Sequence, residues 1–277
     1  MTVAPLEEAR NAALLAWYAD QQRSLPWRDQ SDPYLVLVAE VMLQQTQASR
    51  VVPFYNRFVA RFPTVEALAS AVLQDVLDGW TGLGYNARAL RLREAARIIQ
   101  SDGWPTTPET LSNLPGVGPY TAAAVASFAF GEHVPAIDTN LRRVLSRWHG
   151  ESLHGAALVV AAEAVLGEPA STWNQAMMDL GATLCVPKGP RCTICPVKDW
   201  CSGPAAYTPP IAQGRFEGSA RQLRGAIIRT LVRHTTTIEE INQQTGFSVD
   251  EVESAVADLA AEGLIRRSAG GAYRIAN

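Results

Sequence analysis

The 277-residue sequence contains no uninterrupted apolar run long enough to cross a bilayer, and no signal-peptide pattern opens it. Positive charge is not in excess: 24 Lys and Arg stand against 27 Asp and Glu, for a formal net charge of −3. Cysteine is scarce, with four residues, all between Cys185 and Cys201. These absences argue against a membrane span, a disulfide-stapled secreted scaffold and a uniformly basic nucleic-acid binder. The expectation is a soluble, intracellular chain whose nucleic-acid partner, if it has one, meets a local basic face. With 47% hydrophobic and 18% charged residues, there is enough apolar content for one large or two modest cores.

Helical periodicity dominates the first two hundred residues, and no stretch before the cysteines alternates like a strand. Helices are expected over 5–23, 34–47, 54–62, 86–100, 120–130, 141–148, 156–166 and 172–184, with short ones near 64–67 and 74–79. The 86–100 helix should place Leu90, Ala95, Ile98 and Ile99 inward and display Arg88, Arg91, Arg93 and Arg97. This part of the chain reads as all-α. Residues 203–218 (GPAAYTPPIAQGRFEG) form a Pro/Gly-rich linker. Beyond it, helices are expected at 220–234, 238–245 and 249–262. Ser248 and Glu251 stand at capping-box spacing, and 264–275 reads as a small hairpin. That order matches a winged-helix-like α/β domain over 219–277. Its would-be recognition helix, VDEVESAVADLAAE, is acidic, while Arg266, Arg267 and Arg274 lie in the wing.

The stretch LPGVGPYTAAAVASFAFGEHVPAIDTN organises the chain. Gly116 and Gly118 flank Val117 in a tight turn that leads directly into a helix. A helix start of this kind points N–H groups and partial positive charge at an anion such as a phosphate. Asp138 follows in an apolar lead-in, and its alternative role is that of a plain N-cap. Glu40 sits among Leu35, Val36, Leu37, Val38, Val41, Met42 and Leu43. Burial there would raise its pKa and suit it to donate a proton; the alternative is a helix-surface glutamate. Two carboxyls in unlike settings allow one acid and one charge stabiliser, the pair needed to cleave a sugar–base bond.

Three further groups carry chemistry. Gln44, Gln45, Thr46 and Gln47 bring amide donors and acceptors suited to base edges. The loop Trp80-Thr81-Gly82-Leu83-Gly84-Tyr85 offers Leu83 and the aromatics as wedges that hold a gap in a base stack; the alternative is that they cover the core. Cys185, Cys192, Cys195 and Cys201 follow C-x6-C-x2-C-x5-C, a set for a [4Fe–4S] cluster or zinc, with Lys188, Arg191 and Lys198 interleaved to face a phosphate backbone.

The motifs LPWR, SDPYLVLVAEVMLQQTQ, FPTVEALA, WTGLGYNARA, LPGVGPYTAAAV, IDTN and NQAMMDLGATLC, with the cysteine spacing, occur in order between Leu25 and Cys201. Together they resemble the MutY-type adenine DNA glycosylases of the helix–hairpin–helix base-excision superfamily. The resemblance implies a two-lobed all-α catalytic domain over 1–202 with a [4Fe–4S] loop at 185–201. It implies removal of adenine mispaired with 8-oxoguanine or guanine in duplex DNA by base flipping. Glu40 would be the general acid, Asp138 the stabiliser of the cationic sugar, and Tyr120 and Asn140 its supports. Gln44, Gln45, Thr46, Leu83, Tyr85, Arg88, Gly116, Val117, Gly118 and Lys198 would contact DNA.

Tyr120 stands where endonuclease III-like lyases carry a lysine, so a monofunctional glycosylase is expected. Alternatives are a thymine or uracil mismatch glycosylase of the same superfamily, or a non-catalytic DNA-binding iron–sulfur protein. Thr139 replaces the glycine common between Asp138 and Asn140. The winged-helix-like tail replaces the Nudix-like domain often used to recognise 8-oxoguanine, so discrimination between 8-oxoguanine and guanine is open. The protein is expected to be cytoplasmic, nucleoid-associated if bacterial, and monomeric. No membrane partner is expected, and the tail is a candidate surface for a repair-protein partner.

Overall fold

The computed structural model describes residues 3–209 and 214–276, with side chains from Leu6 onward. None of its helices is long and apolar enough to cross a membrane, among the described residues. Among the described residues, eleven helices precede the cysteines: α1 (Val3–Gln21), α2 (Pro33–Leu43), α3 (Ala48–Arg61), α4 (Val65–Ser70), α5 (Leu73–Trp80), α6 (Ala87–Asp102), α7 (Pro108–Leu111), α8 (Pro119–Phe130), α9 (Thr139–His149), α10 (Gly155–Ala164) and α11 (Ala170–Thr183). The tail adds α12 (Ala220–Arg233), α13 (Ile238–Thr245), α14 (Val249–Ala261) and an antiparallel pair, β1 (Ile265–Arg267) and β2 (Tyr273–Ile275). No other named strand occurs among the described residues, as the helical periodicity led one to expect.

The chain divides into two compact units, and α2 belongs partly to each. The first comprises Met1–Leu37, Thr106–Asn113 and Val117–Ala212. Its core joins Leu14 and Tyr18 of α1, Leu141, Val144, Leu145 and Trp148 of α9, and Trp173, Met177 and Leu180 of α11. The α9 and α11 backbones approach so closely that a Cβ on Gly181 would stand 2.5 Å from the Cβ of Asn140. Buried Asp179 on α11 is fully enclosed and accepts from Arg23 Nε at 2.8 Å and from Arg28 Nη2. An unpaired carboxylate at such a depth would be costly, so these two arginines fasten the segment after α1 to α11.

The second unit comprises Val38–Pro105, Leu114–Gly116 and Gln213–Asn277. Here α4 and α5 pack on α6, and α12 of the tail packs on α5, where Gln74 Nε2 donates to the Val232 carbonyl at 2.7 Å. Phe58 meets the fully buried Trp80 edge-on, with ring centroids 5.6 Å apart. Helices α13 and α14 start on full capping boxes, Thr237 with Glu240 and Ser248 with Glu251. Each box satisfies two N–H groups that a helix start leaves without partners.

Several expectations need correction. The α2 helix stops at Leu43, not at residue 47, because the chain enters a left-handed conformation at Gln45 (φ 55°). The α3 helix begins at Ala48 and runs through Pro53, rather than starting after it. On α6, Arg88 and Arg93 are buried (7% and 6% exposed), while Ile98 is 38% exposed. Arg93 turns inward because a carbonyl waits there, its Nε donating to Ala71 at 2.7 Å; Arg97 stays exposed, as expected, while its Nε reaches the Ala69 carbonyl at 3.0 Å. The start of the expected linker is packed rather than free. Tyr207 is buried, with the guanidinium groups of Arg142, Arg143 and Arg147 within 5.8 Å of its ring.

Candidate active site

Glu40 lies on α2 and is buried (4% exposed) between Ala39 and Val41. The end of that helix is closed by a side chain from α6. Arg88 Nη1 donates to the carbonyls of Val41 (2.8 Å), Met42 (2.9 Å) and Gln44 (2.7 Å). Its Nη2 reaches Gly84 at 3.2 Å. A helix C-terminus carries partial negative charge and carbonyls without intrahelical donors, so a guanidinium satisfies both. Burial brings Arg88 down to about 10, partly offset by Tyr85, so it stays charged at neutral pH. Arg88 was expected to contact DNA; it is buried, and its Nη1 and Nη2 donate to backbone carbonyls beneath the surface.

The turn after α2 and the loop before α6 share an unusual backbone. Gln45 and Tyr85 have φ of 55° and 51°, values costly for residues with a β-carbon. Such strain persists where surrounding bonds over-determine it, and it concentrates at functional sites. Here the bonds are Arg88 to Gln44 and Gly84, Trp80 Nε1 to the Gly84 carbonyl at 3.1 Å, and Arg50 Nη2 to the Gly82 carbonyl at 2.6 Å. Gln45 is exposed and Tyr85 half-buried. Trp80 and Leu83 are not wedges: they are 0% and 3% exposed and belong to the core. Thr46 bonds back to the Gln44 carbonyl at 3.2 Å. Gln44 Nε2 donates to the carbonyl of Gly116 at 3.1 Å, which ties this turn to the hairpin. Gly116 has φ of 78°, and a Cβ there would stand 2.9 Å from the Cβ of Arg91, so a larger residue is excluded twice over.

Across the hairpin, Gly118 is the N-cap of α8, with Pro119 at the first helical position. Val117 is only 6% exposed, so its side chain is part of the interior and only its backbone is left for a phosphate. Tyr120, in the first turn of α8, packs with Ala123 and Phe128 against Ala124, Ala136 and Met178. Its hydroxyl lies 4.0 Å from the Met178 sulfur.

Asp138 is the N-cap of α9: Oδ1 accepts from the Leu141 N–H, and Oδ2 accepts from Asn140 Nδ2, both at 2.6 Å. The Asn140 carbonyl oxygen accepts from Arg143 Nη2 at 2.7 Å, which fixes which face of the amide meets Asp138. Arg143 also donates to the Gly181 carbonyl at 2.7 Å and, through Nε, to the Cys185 carbonyl at 2.6 Å. Upstream, fully buried Asn174 accepts from the Ala136 N–H at 2.9 Å and donates to the Val134 carbonyl at 2.9 Å, which holds the apolar lead-in. Burial pushes the Asp138 carboxyl above the usual aspartate value, against the lowering from the Leu141 N–H, Asn140 and Arg143. The N-cap reading of Asp138 is therefore correct: one oxygen caps the helix, and the other is held by Asn140.

All four cysteines line one cavity of about 380 Å³ beside Arg147, Trp148, Leu180 and Lys198. Arg147 Nη1 donates to the Cys185 sulfur at 3.1 Å and to the carbonyls of Cys185 and Val186 at 3.1 and 3.0 Å; Nη2 reaches Pro187 at 3.2 Å. Burial pushes the Cys195 thiol up to about 11, and the other three sulfurs push it the same way. Among the described residues, no three His, Cys, Asp or Glu side chains are gathered tightly enough for a single metal ion. Lys198 is exposed on the rim. Arg143, Arg147 and Asn174 escaped the sequence reading. The two arginines stand four apart in LRRVLSRW, so a shared helix face was the available signal.

Residues 38–160 match the model of the HhH-GPD superfamily base excision DNA repair proteins. The chain is 39% identical over 280 residues to the adenine DNA glycosylase of Mycobacterium tuberculosis (strain ATCC 25618 / H37Rv), covering 95% of this chain and 92% of that one. Identity to the adenine DNA glycosylase of Mycolicibacterium smegmatis (strain ATCC 700084 / mc(2)155) is 39% over 294 residues, covering 100% and 97%. For the adenine DNA glycosylase of Homo sapiens it is 42% over 212 residues, covering 70% of this chain and 39% of that one. Among solved structures, a thermostable thymine-DNA glycosylase superposes with a TM-score of 0.69 at 30% identity, covering 74% and 99%. An endonuclease III–DNA complex, at 22% identity and a TM-score of 0.62, covers 73% and 96% and shares the fold.

Proposed function

Because the chain belongs to the adenine DNA glycosylases of the HhH-GPD base excision repair superfamily, we propose that it excises adenine mispaired with 8-oxoguanine or guanine in duplex DNA. The reaction is hydrolysis of the N-glycosidic bond, with the adenine turned out of the stack. Glu40, buried on α2, protonates the departing base. Asp138 faces the cationic sugar with its charge, and Asn140 holds the oxygen that the helix start does not use. Tyr120 supports Asp138; without a lysine amine at this position, no Schiff base forms and an abasic site is the product. The single observation that carries this reading is the clamped Asp138 carboxylate, with one oxygen on the Leu141 N–H and the other on Asn140.

Gln45 and Tyr85, on strained turns, read the DNA strand, with Gln44 and Thr46 positioning the first turn. The backbone of Gly116, Val117 and Gly118 takes a phosphate. Lys198 adds a backbone contact from the cysteine loop. Cys185, Cys192, Cys195 and Cys201 would hold a [4Fe–4S] cluster: four sulfurs around one roomy cavity suit a polynuclear centre. When bound, the cluster supplies structural cross-linking of the loop; Arg147 offers a hydrogen bond to the Cys185 sulfur, as such sites commonly use.

Residues 1–202 form the catalytic domain, 203–218 a linker and 219–277 a winged-helix-like domain. The helix order α12–α14 followed by the hairpin supports this last assignment. The decisive experiment is single-turnover incubation with duplexes carrying A·8-oxoG, A·G, A·C and T·G, followed by alkali. Strand breaks at adenine are expected; breaks only with T·G would install the thymine enzyme instead. Metal analysis should find about four irons per chain, and zinc alone would remove the cluster from the proposal.

A further inference from the structure

The hairpin β1–β2 has two unlike faces. Ile265 pairs with Ile275 across the ladder, and both are buried (3% and 4% exposed) against the tail helices. One residue along, Arg266 pairs directly with Arg274, and both are exposed on the opposite face. Like charges directly opposite each other weaken a strand pair. Neither guanidinium has a carboxylate within ion-pair distance among the described residues, although Asp and Glu are plentiful on nearby α14. Of the acids on and just after α14, Asp258 and Glu262 pair with Arg224, and Glu251 closes the capping box at Ser248.

The hairpin is also held rigidly. Thr236 exchanges two backbone hydrogen bonds with Tyr273, at 3.2 and 2.8 Å, and Arg267 Nε braces the turn at the Gly271 carbonyl. Two arginines on a braced ribbon, unneutralised by the protein, are pre-organised for an anion that bridges them.

We infer that Arg266 and Arg274 form a phosphate-backbone contact for duplex DNA, separate from the contacts proposed at the hairpin turn and the cysteine loop. The inference rests on reading the chain as a DNA enzyme and adds a sequence-independent grip from the tail. DNA is favoured over an acidic protein because adjacent phosphates on a strand present a regular row of anions, and a guanidinium meets each one bidentately. The acidic α14, the helix that enters a groove in many winged domains, argues for the ribbon rather than that helix as the contacting element.

The test compares the full-length protein with R266A/R274A and with R266K/R274K, titrated on mismatch-free duplex at several salt concentrations. Loss of two phosphate contacts should reduce the slope of log K against log salt by about 1.8 in the alanine variant. Affinity at low salt should fall roughly ten-fold or more. The lysine variant should keep most of the slope. An unchanged slope in the alanine variant overturns the inference, whether the arginines are idle or serve an acidic protein. Adenine excision by the unaltered protein, measured in parallel, reads the glycosylase assignment independently of this result.

Discussion

Arg88 and Arg143 perform the same elementary act in different units of the molecule. Each is buried, each leaves a helix, and each gathers backbone carbonyls that would otherwise lack donors. They differ in what else the guanidinium holds. Arg88 grips carbonyls at the end of the helix that bears Glu40, and its plane lies near Tyr85, 5.3 Å from the ring centroid. Arg143 grips three carbonyls, of Thr139, Gly181 and Cys185, and an amide oxygen, and through that amide it orients the Asp138 carboxylate. One arginine therefore shapes a backbone loop, whereas the other sets the direction of a charged group. Glu40, the proposed proton donor, is buried on α2, whereas Asp138 is held by the Leu141 N–H and by Asn140.

The sharpest way to break this comparison is to remove the two acids' chemistry in turn. Glu40→Gln should lower single-turnover excision by about 10²–10⁴-fold, the usual worth of a general acid, while mismatch binding survives. Undiminished turnover would strip Glu40 of its role. Arg143→Ala should cost about 2–4 kcal/mol of stability from unsatisfied buried carbonyls, and it should lower the excision rate at saturating DNA because Asn140 is released. Arg88→Ala should cost similar stability but weaken DNA binding before it slows chemistry, because the Gln45 and Tyr85 turns relax. Identical kinetic splits in the two variants would erase the distinction drawn between them.

Gly181→Ala is a smaller disturbance from the same direction. The new methyl would meet Asn140 at 2.5 Å, so helix α9 must shift, with an expected loss of about 1–3 kcal/mol and a measurable drop in rate but not in mismatch affinity. The gentlest probe is pH. Burial holds the Asp138 carboxyl above 3.8, so it takes up a proton at a higher pH than a free aspartate. The rate at saturating DNA should therefore fall on the acid side earlier than an ordinary aspartate would dictate. The same shift means that the fold binds this proton more tightly than the unfolded chain does. Acidification through its folded pKa should thus add, not subtract, stability from this one group. An acid limb at or below the free-aspartate range would contradict the burial argument.

Much of this was legible in the chain. The helix periodicity placed nearly every element, Ser248 and Glu251 announced their cap, and the cysteine spacing announced a shared cavity. Glu40 could be read as buried because aliphatic residues flank it on every side in the sequence. The misreadings cluster where a polar side chain found a distant partner. Arg88 and Arg93 lie on what periodicity alone calls an outward face, and Trp80 and Leu83 lie in a glycine-rich loop that looks exposed.

What the amino-acid order determined, then, was local: which segments coil, where they begin and stop, which residue types lie within reach of a cluster, and which two acids have unlike neighbours. Those properties follow from contacts a few residues apart. Only the tertiary structure decided that Arg143 joins Cys185 to Asn140 and so to Asp138, that Gly181 leaves room for that junction, and that two arginines of the tail face outward without a counter-charge. A carbonyl without a donor attracts a guanidinium from whichever helix packing brings near, and separation along the chain carries no record of that.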